Sequence, residues 1–335
     1  MLLTICTLSQ LPQAIALGDS FTRHSVHATG SSSVILGLVD DPARLPVGFV
    51  SPYPLLPVSE LLETTLLAEL SARYTPTEFA AACKPTFIAE VFRRYPEVDK
   101  LLYADPNVYF TGSLSTIWQN LEESTALLTP FITRNPADSL WPDEKFFQNI
   151  GLYSSDFLGF RRSAETDKLL AWWTDRVQQR AFINYCEGLC LDQIWLMHVP
   201  VFFKDVRIIK NPGWHVALWN LHERSLQQTE NGWQVTGPEG QDQPLLFMNV
   251  KGWLHPDQGF FPHQNRLRLS DRAELAPLLA TYRQALTAHE GLMQCPVKST
   301  YGQQPEPVVL RGWRYTAVQS FRSVTRLIDQ FSIPR

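Results

Sequence analysis

Apolar runs of strand length alternate with helical stretches through the first half of the chain, and this alternation limits the fold more than any other feature. A run over residues 2–7 leads into a helical stretch from residue 10, where Ala14, Leu17 and Phe21 share one face. A second run over 34–39 ends at Asp40-Asp41, and a proline-rich connector over 42–57 follows. Helical stretches over 59–73 and 76–95 come next, then an apolar run leading to Asp105 and another over 125–129. Strands joined by helical crossovers must lie mostly parallel, so the expected fold is α/β: a Rossmann-like, mostly parallel mixed sheet with helices on both faces.

The second half is more mixed. Residues 156–162 and 206–210 read as strands, and 164–180 and 188–198 as helices. Asn231-Gly232 signals a hairpin turn between 225 and 235, and a strand over 245–250 closes the region. Two C-terminal helices are expected. Leu275, Leu278, Leu279, Tyr282 and Leu286 mark the first, and Val318, Phe321, Val324 and Ile328 the second. The organisation predicted is one α/β domain over 1–265 with a helical extension over 266–335 packed on it.

Composition excludes several classes. With 44% hydrophobic and 19% charged residues the chain is suited to a globular core rather than to disorder. A net charge of -4 gives no reason to expect nucleic acid as a partner. The 5 cysteines contain no CxxC pair, which favours a reducing compartment; Cys186 and Cys190 read as core. The N-terminus has no basic region ahead of its apolar run, and no window is long and apolar enough to span a membrane, so a cytoplasmic protein is expected. Most of the 10 tryptophans fall between Trp172 and Trp253, where they could stack on sugar or fill a core. There is no GxGxxG, no GxxxxGK[ST] and no GxSxG; His222-Glu223 and His289-Glu290 lack the second histidine of a zinc protease.

The segment 100–110 is where chemistry is expected. Its apolar run ends in Asp105-Pro106-Asn107, and side-chain alternation sends Asp105 and Asn107 the same way. The carboxyl end of a strand is where open α/β sheets hold ligands, and Asp-x-Asn there can take a hard cation. The same residues also make a good turn.

The surroundings favour the chemical reading. Glu78, Lys84-Pro85, the 101–107 run, Asn149-Ile150-Gly151-Leu152-Tyr153, Trp172-Trp173, the 188–195 run and Val216-Ala217-Leu218-Trp219-Asn220-Leu221 occur in that order. Together they resemble a bacterial glycosyltransferase family of the GT-A fold, nucleotide-sugar enzymes akin to glycogenin and the lipopolysaccharide galactosyltransferases. The resemblance extends from residue 2 to about residue 265, and is most specific at Asp192-Gln193-Ile194-Trp195 and Trp219-Asn220-Leu221.

The resemblance implies a glycosyltransferase that moves a sugar from a nucleotide diphosphate sugar, expected to be UDP-linked, to a glycan or lipid-linked acceptor. It implies that Thr4, Cys6, Thr7 and Asp40 frame the nucleoside, with Trp219 and Asn220 also on the donor. Lys84 would serve the diphosphate or ribose. Asp105, Asn107 and Asn249 would hold Mn²⁺ or Mg²⁺, and Asp192 and Gln193 would stand at the anomeric carbon.

The chain departs from the family's pattern at the metal. Asn107 stands where the family has the second aspartate of Asp-x-Asp, and the family's His-x-Ser-Gly is Asn249-Val250-Lys251-Gly252. The family's Gly-x-Tyr-Asn-x-Gly-Phe is Gly151-Leu152-Tyr153-Ser154-Ser155-Asp156-Phe157, and an early family asparagine is His215. Three readings follow: weak metal binding, Lys251 substituting charge for the metal, or a catalytically degenerate domain that binds nucleotide or glycan. Arg311, Arg314, Arg322 and Arg326 on the last helix leave two further readings, packing on its own domain or peripheral contact with the inner membrane face.

Overall fold

The computed structural model describes residues 1–25, 33–230, 232–253, 264–291, 298–308, 310 and 312–329. The first strand, β1 (Leu2–Cys6), is buried along its whole length. Its side chains divide between two cores: Leu3 and Ile5 join one apolar cluster, Leu2 and Cys6 another. Two covered faces are what a continuous apolar run requires, because successive side chains point to opposite sides.

The alternation continues through α1 (Leu11–His24), β2 (Val34–Leu38), β3 (Leu55–Pro57), α2 (Thr64–Arg73), α3 (Pro76–Arg94) and β4 (Lys100–Ala104). After β5 (Val108–Phe110) come α4 (Ser115–Glu122), β6 (Ala126–Pro130), α5 (Glu144–Ile150), β7 (Tyr153–Arg161) and α6 (Ala164–Arg180). Short elements follow: β8 (Ile183–Asn184), β9 (Leu189–Cys190), α7 (Val199–Phe202), β10 (Val206–Ile208) and β11 (Val216–Ala217). A meander, β12 (Ser225–Thr229), β13 (Gly232–Thr236) and β14 (Asp242–Pro244), leads to β15 (Phe247–Asn249) and α8 (Ala276–Glu290).

The main sheet has 7 strands in the order β10-β6-β7-β4-β1-β2-β3. Its β1/β2, β1/β4, β2/β3 and β6/β10 pairs are parallel, while β7 runs antiparallel between β4 and β6. This is the mostly parallel mixed sheet expected. Helices α3 and α6 cover one face through Phe87, Ile88, Leu169 and Trp173; α1 and α4 cover the other through Ala14, Leu17, Phe21 and Ile117.

A second sheet, β11-β15-β5, crosses the end of β4. In it Asn249 pairs with Val108, and Val250 N–H donates to Asn107 O at 2.9 Å. The Asp105–Asn107 turn thus joins the two sheets and brings β15 beside the carboxyl end of β4.

Cys186, expected in the core, is exposed, and two expected elements change. Residues 188–198 do not form one helix: β9 comes first, then a 3₁₀ helix over Gln193–His198. Gly188 and Leu191 have φ of 68° and 54°, left-handed backbone that interrupts any helix between them. The 59–73 stretch begins with a separate 3₁₀ turn, Val58–Glu60, before α2. The hairpin forms with Thr229 opposite Gly232; Asn231 of its expected turn lies outside the described residues.

The chain divides after Gln304, so α8 belongs to the larger unit, Met1–Gln304. The other unit, Pro305–Arg335, contains α9 (Trp313–Asp329), on which Trp313, Phe321, Val324, Leu327 and Ile328 are exposed. Arg311 and the Arg326 side chain lie outside the described residues. Among those described, no helix is long and apolar enough to cross a membrane.

Candidate functional site

The site forms where β4, β7, β15 and the loop after β9 meet. Register accounts for its first pair. Ala104 of β4 lies opposite Phe157 of β7, and one step on, Asp105 N–H donates to Asp156 O at 2.8 Å. Asp156 is thereby placed beside the Asp105 turn. Asn107 closes that turn onto Asp105 Oδ1, through its backbone N–H at 3.1 Å and its side-chain Nδ2 at 2.8 Å. The turn reading and the shared direction of Asp105 and Asn107 therefore both hold.

Lys84 comes from inside α3. Its helix starts with a reciprocal cap, in which Glu78 N–H donates to Thr75 Oγ1 and Thr75 N–H to Glu78 Oε2. Glu78 also accepts from Ile183 N–H at 2.7 Å, a structural duty that ties the helix to β8. Lys84 is thus well within the helix, with Pro85 after it, and is buried. Its Nζ reaches Asp192 Oδ2 at 2.5 Å and Ser155 Oγ at 3.0 Å, and lies 4.8 Å from the centre of the Tyr103 ring.

Asp192 is fixed from three sides. Ser155 Oγ donates to its Oδ1 at 3.1 Å, Lys84 pairs with Oδ2, and the indole N–H of the buried Trp173 donates to its backbone oxygen at 3.0 Å. Gln193 is also buried, with its Nε2 at 3.8 Å from Cys190 Sγ. Gly151 makes room for this turn: at φ 109°, a Cβ there would stand 2.9 Å from Gln193 O.

Beneath these groups, Asn249 Nδ2 donates to Asp156 Oδ2 at 2.8 Å, and Asn249 Oδ1 accepts from Lys251 N–H at 3.0 Å. Those two bonds assign the amide's orientation. His215 Nδ1 meets Thr129 Oγ1 at 2.7 Å, with Nε2 toward Asn249. Lys251 Nζ lies 3.9 Å from Asp156 Oδ2.

Charge governs protonation here. Burial and the neighbouring Asp156 raise the Asp105 carboxyl, against the pull of Lys251 and Lys84. Burial alone would raise Asp156 too, but Lys251, Lys84, His215 and the Asn249 amide together hold it below the ordinary carboxylate value. Burial works against the Lys251 ammonium, yet Asp156, Asp105 and Asp192 raise it. Burial lowers His215 to about 4, so it is neutral near pH 7.

Other expected site residues fall in supporting positions. Thr4 and Cys6 are fully buried in β1, and burial pushes the Cys6 thiol up. Thr7 at the strand's end is partly exposed, and its Oγ1 lies 2.9 Å from Ser9 Oγ. The Asp40 carboxylate accepts from Leu8 N–H at 2.9 Å and from Thr300 N–H at 2.6 Å, so the 298–304 segment closes over it. Trp219 packs edge-on to Phe131 at 5.3 Å and to His215 at 5.5 Å. Asn220 locks its own loop, accepting from Ala217 N–H and donating to His215 O and Phe131 O.

The sequence reading did not propose Asp156 or Ser155 as site residues. Their signal was the strand pattern: positions opposite the end of β4 must approach Asp105, but only the antiparallel register of β7 identifies them.

The residues present do not fit a divalent cation well. Of the expected ligands Asp105, Asn107 and Asn249, only Asp105 carries charge, and one of its oxygens already accepts two hydrogen bonds from Asn107. Asn249 offers an amide committed to Asp156 and Lys251. Among the described residues, no three acidic, histidine or cysteine side chains converge as a metal-holding group. A Lys251 ammonium beside Asp156 also repels a second cation.

No protein-family model matches the chain. It is 25% identical over 251 residues to the uncharacterized protein YfnF of Bacillus subtilis (strain 168), spanning 75% of this chain and 80% of that protein. It is 20% identical over 228 residues to the uncharacterized protein YfnD of the same organism, spanning 66% of this chain and 68% of that one. Among solved structures, it superposes with a TM-score of 0.51 on the galactosyltransferase LgtC, solved in complex with donor and acceptor sugar analogs. That match is 12% identical and covers 87% of this chain and 99% of that one. The chain has a GT-A glycosyltransferase fold.

Proposed function

We propose that the protein transfers a sugar from a nucleotide diphosphate sugar, with UDP as the expected nucleotide, to a glycan or lipid-linked acceptor. The observation that carries this reading is the buried Lys84–Ser155–Asp192 network, adjoining Asp105 at the carboxyl end of a central strand. In open α/β sheets that end is the ligand side. Lys84 contributes positive charge toward a leaving diphosphate and pairs with Asp192. Asp192, held by Ser155 and Lys84, supplies the carboxylate at the anomeric carbon; Asp105 faces the donor from the β4 turn. No step is assigned to a divalent cation, because the donor set is poor.

A second reading, a nucleotide- or glycan-binding module without turnover, is favoured by one observation: Asp192 is already engaged internally, Oδ1 by Ser155 and Oδ2 by the Lys84 ion pair. Calorimetric titration with UDP, using GDP as control, followed by measurement of UDP released from UDP-sugars with and without a glycan acceptor, separates the two. Binding with acceptor-stimulated release supports the transferase, and binding without release supports the module. No binding of either nucleotide overturns both as donor-site readings.

The reading extends to a peripheral site of action. The exposed apolar side chains of α9, with Arg314 and Arg322 on the same helix, suit an anionic membrane surface. Co-sedimentation of the full chain with anionic vesicles that weakens in high salt supports this; equal recovery with neutral vesicles refutes it.

A further inference from the structure

We infer that Lys251 is a built-in counter-charge for the donor diphosphate, which frees nucleotide binding from any divalent cation. This deepens the transferase reading and rests on it. A cation-dependent transferase needs negative ligands to hold the metal and the metal's charge to hold the phosphates. Here both halves of that arrangement are altered in the same direction. Two of the three expected ligands, Asn107 and Asn249, are neutral amides, and a lysine stands two residues beyond the second.

Position supports the exchange. The Val250 N–H bond to Asn107 O fixes the chain just before Lys251 beside the Asp105–Asn107 turn. The Asn249 Oδ1 bond to Lys251 N–H fixes the Lys251 backbone itself. From there Nζ lies 3.9 Å from Asp156 Oδ2, with the side chain 25% exposed. A carboxylate anchors it on the protein side, and its side chain stays partly exposed. Lys84, by contrast, is 8% exposed and turned onto Asp192 and Ser155. Lys251 is therefore the more exposed of the two lysine side chains, and a compact ammonium binds phosphate as a point charge.

The test is calorimetric titration of the full chain with UDP, in EDTA and in Mn²⁺, for the wild type, Lys251→Met, Lys251→Arg and the double variant Asn107→Asp/Lys251→Met. The wild type is expected to bind UDP equally in both conditions. Lys251→Met should weaken binding about ten- to a hundredfold in EDTA, the loss of a charged hydrogen bond. Lys251→Arg should recover most of it, and the double variant should bind UDP better in Mn²⁺ than in EDTA. Wild-type binding that appears only with Mn²⁺ overturns the inference and leaves the transferase reading standing, whether or not the variants fold. Undiminished binding by a folded Lys251→Met protein overturns it as well. If the wild type binds neither UDP nor GDP in either condition, the transferase reading fails and the inference with it.

Discussion

Lys84 Nζ and Asp192 Oδ2 lie 2.5 Å apart, with side chains only 8% and 2% exposed. One comes from the interior of α3 and the other from the loop after β9, so the pair joins a sheet-covering helix to the candidate site. Burying two charges is costly unless geometry is close and the remaining valences are filled. Ser155 fills them, accepting from Lys84 and donating to Asp192.

The first prediction concerns that pair. Lys84→Met leaves a buried carboxylate without its cation and should cost about 3–5 kcal/mol. Adding Asp192→Asn removes the stranded charge and should recover at least about 1 kcal/mol, so the two changes are not additive. Urea denaturation of both single variants and the double variant measures the coupling. Strict additivity would show that the two groups do not act as a unit.

Asp105 should behave differently, because its carboxyl is raised by burial and by Asp156 and so adds little stability as an anion. Asp105→Ala is expected to keep the wild-type fold while lowering sugar transfer by about a hundredfold or more. Circular dichroism and UDP release from UDP-sugar report the two properties separately. Transfer at the wild-type rate would remove Asp105 from the site.

The contrast between Asp105 and Asp156 shows what the sequence made legible. The alternation of apolar runs and helices was enough for the sheet, and the apolar run ending in Asp105 was enough for the end of its strand β4. Asp156 was not legible as a partner, because its approach depends on β7 running antiparallel, with Ala104 opposite Phe157. Asp40 illustrates the opposite limit. It ends a strand as expected, but a segment 260 residues away in sequence takes one of its oxygens, a contact that no local pattern encodes. The broken helix at 188–198 was missed because Leu191, an ordinary helix former, is held at positive φ by the tertiary fold.

The segment over Asp40 gives a third prediction. Gly302 has φ 78°, and a Cβ there would stand 2.5 Å from Pro76 Cα at the start of α3. Gly302→Ala should displace the 298–304 segment at a cost of about 1–3 kcal/mol. Amide exchange at Thr300, whose N–H donates to Asp40, should accelerate with it. Unchanged exchange and melting temperature would mean that the segment is held elsewhere.

His215 makes acid stability the most informative solution property. Its folded value is lowered from the ordinary 6.5 to about 4, chiefly by burial, so the unfolded chain takes up this proton at a higher pH than the native protein does. Stability from the neutral imidazole is therefore fully present above pH 6.5 and is lost as pH falls from 6.5 to about 4. The loss is on the order of 3 kcal/mol. Asp156 is held below the ordinary carboxylate value, and its own contribution is lost at still lower pH. His215 also has φ 53°, a conformation that asparagine adopts more readily. His215→Asn should flatten the stability profile across this window, and at pH 7 the relieved backbone should offset part of the lost bond to Thr129. Denaturant midpoints at pH 7 and pH 4.5 test this directly. The wild type should lose markedly more stability between the two than His215→Asn does, whereas parallel losses would assign the acid sensitivity to other groups.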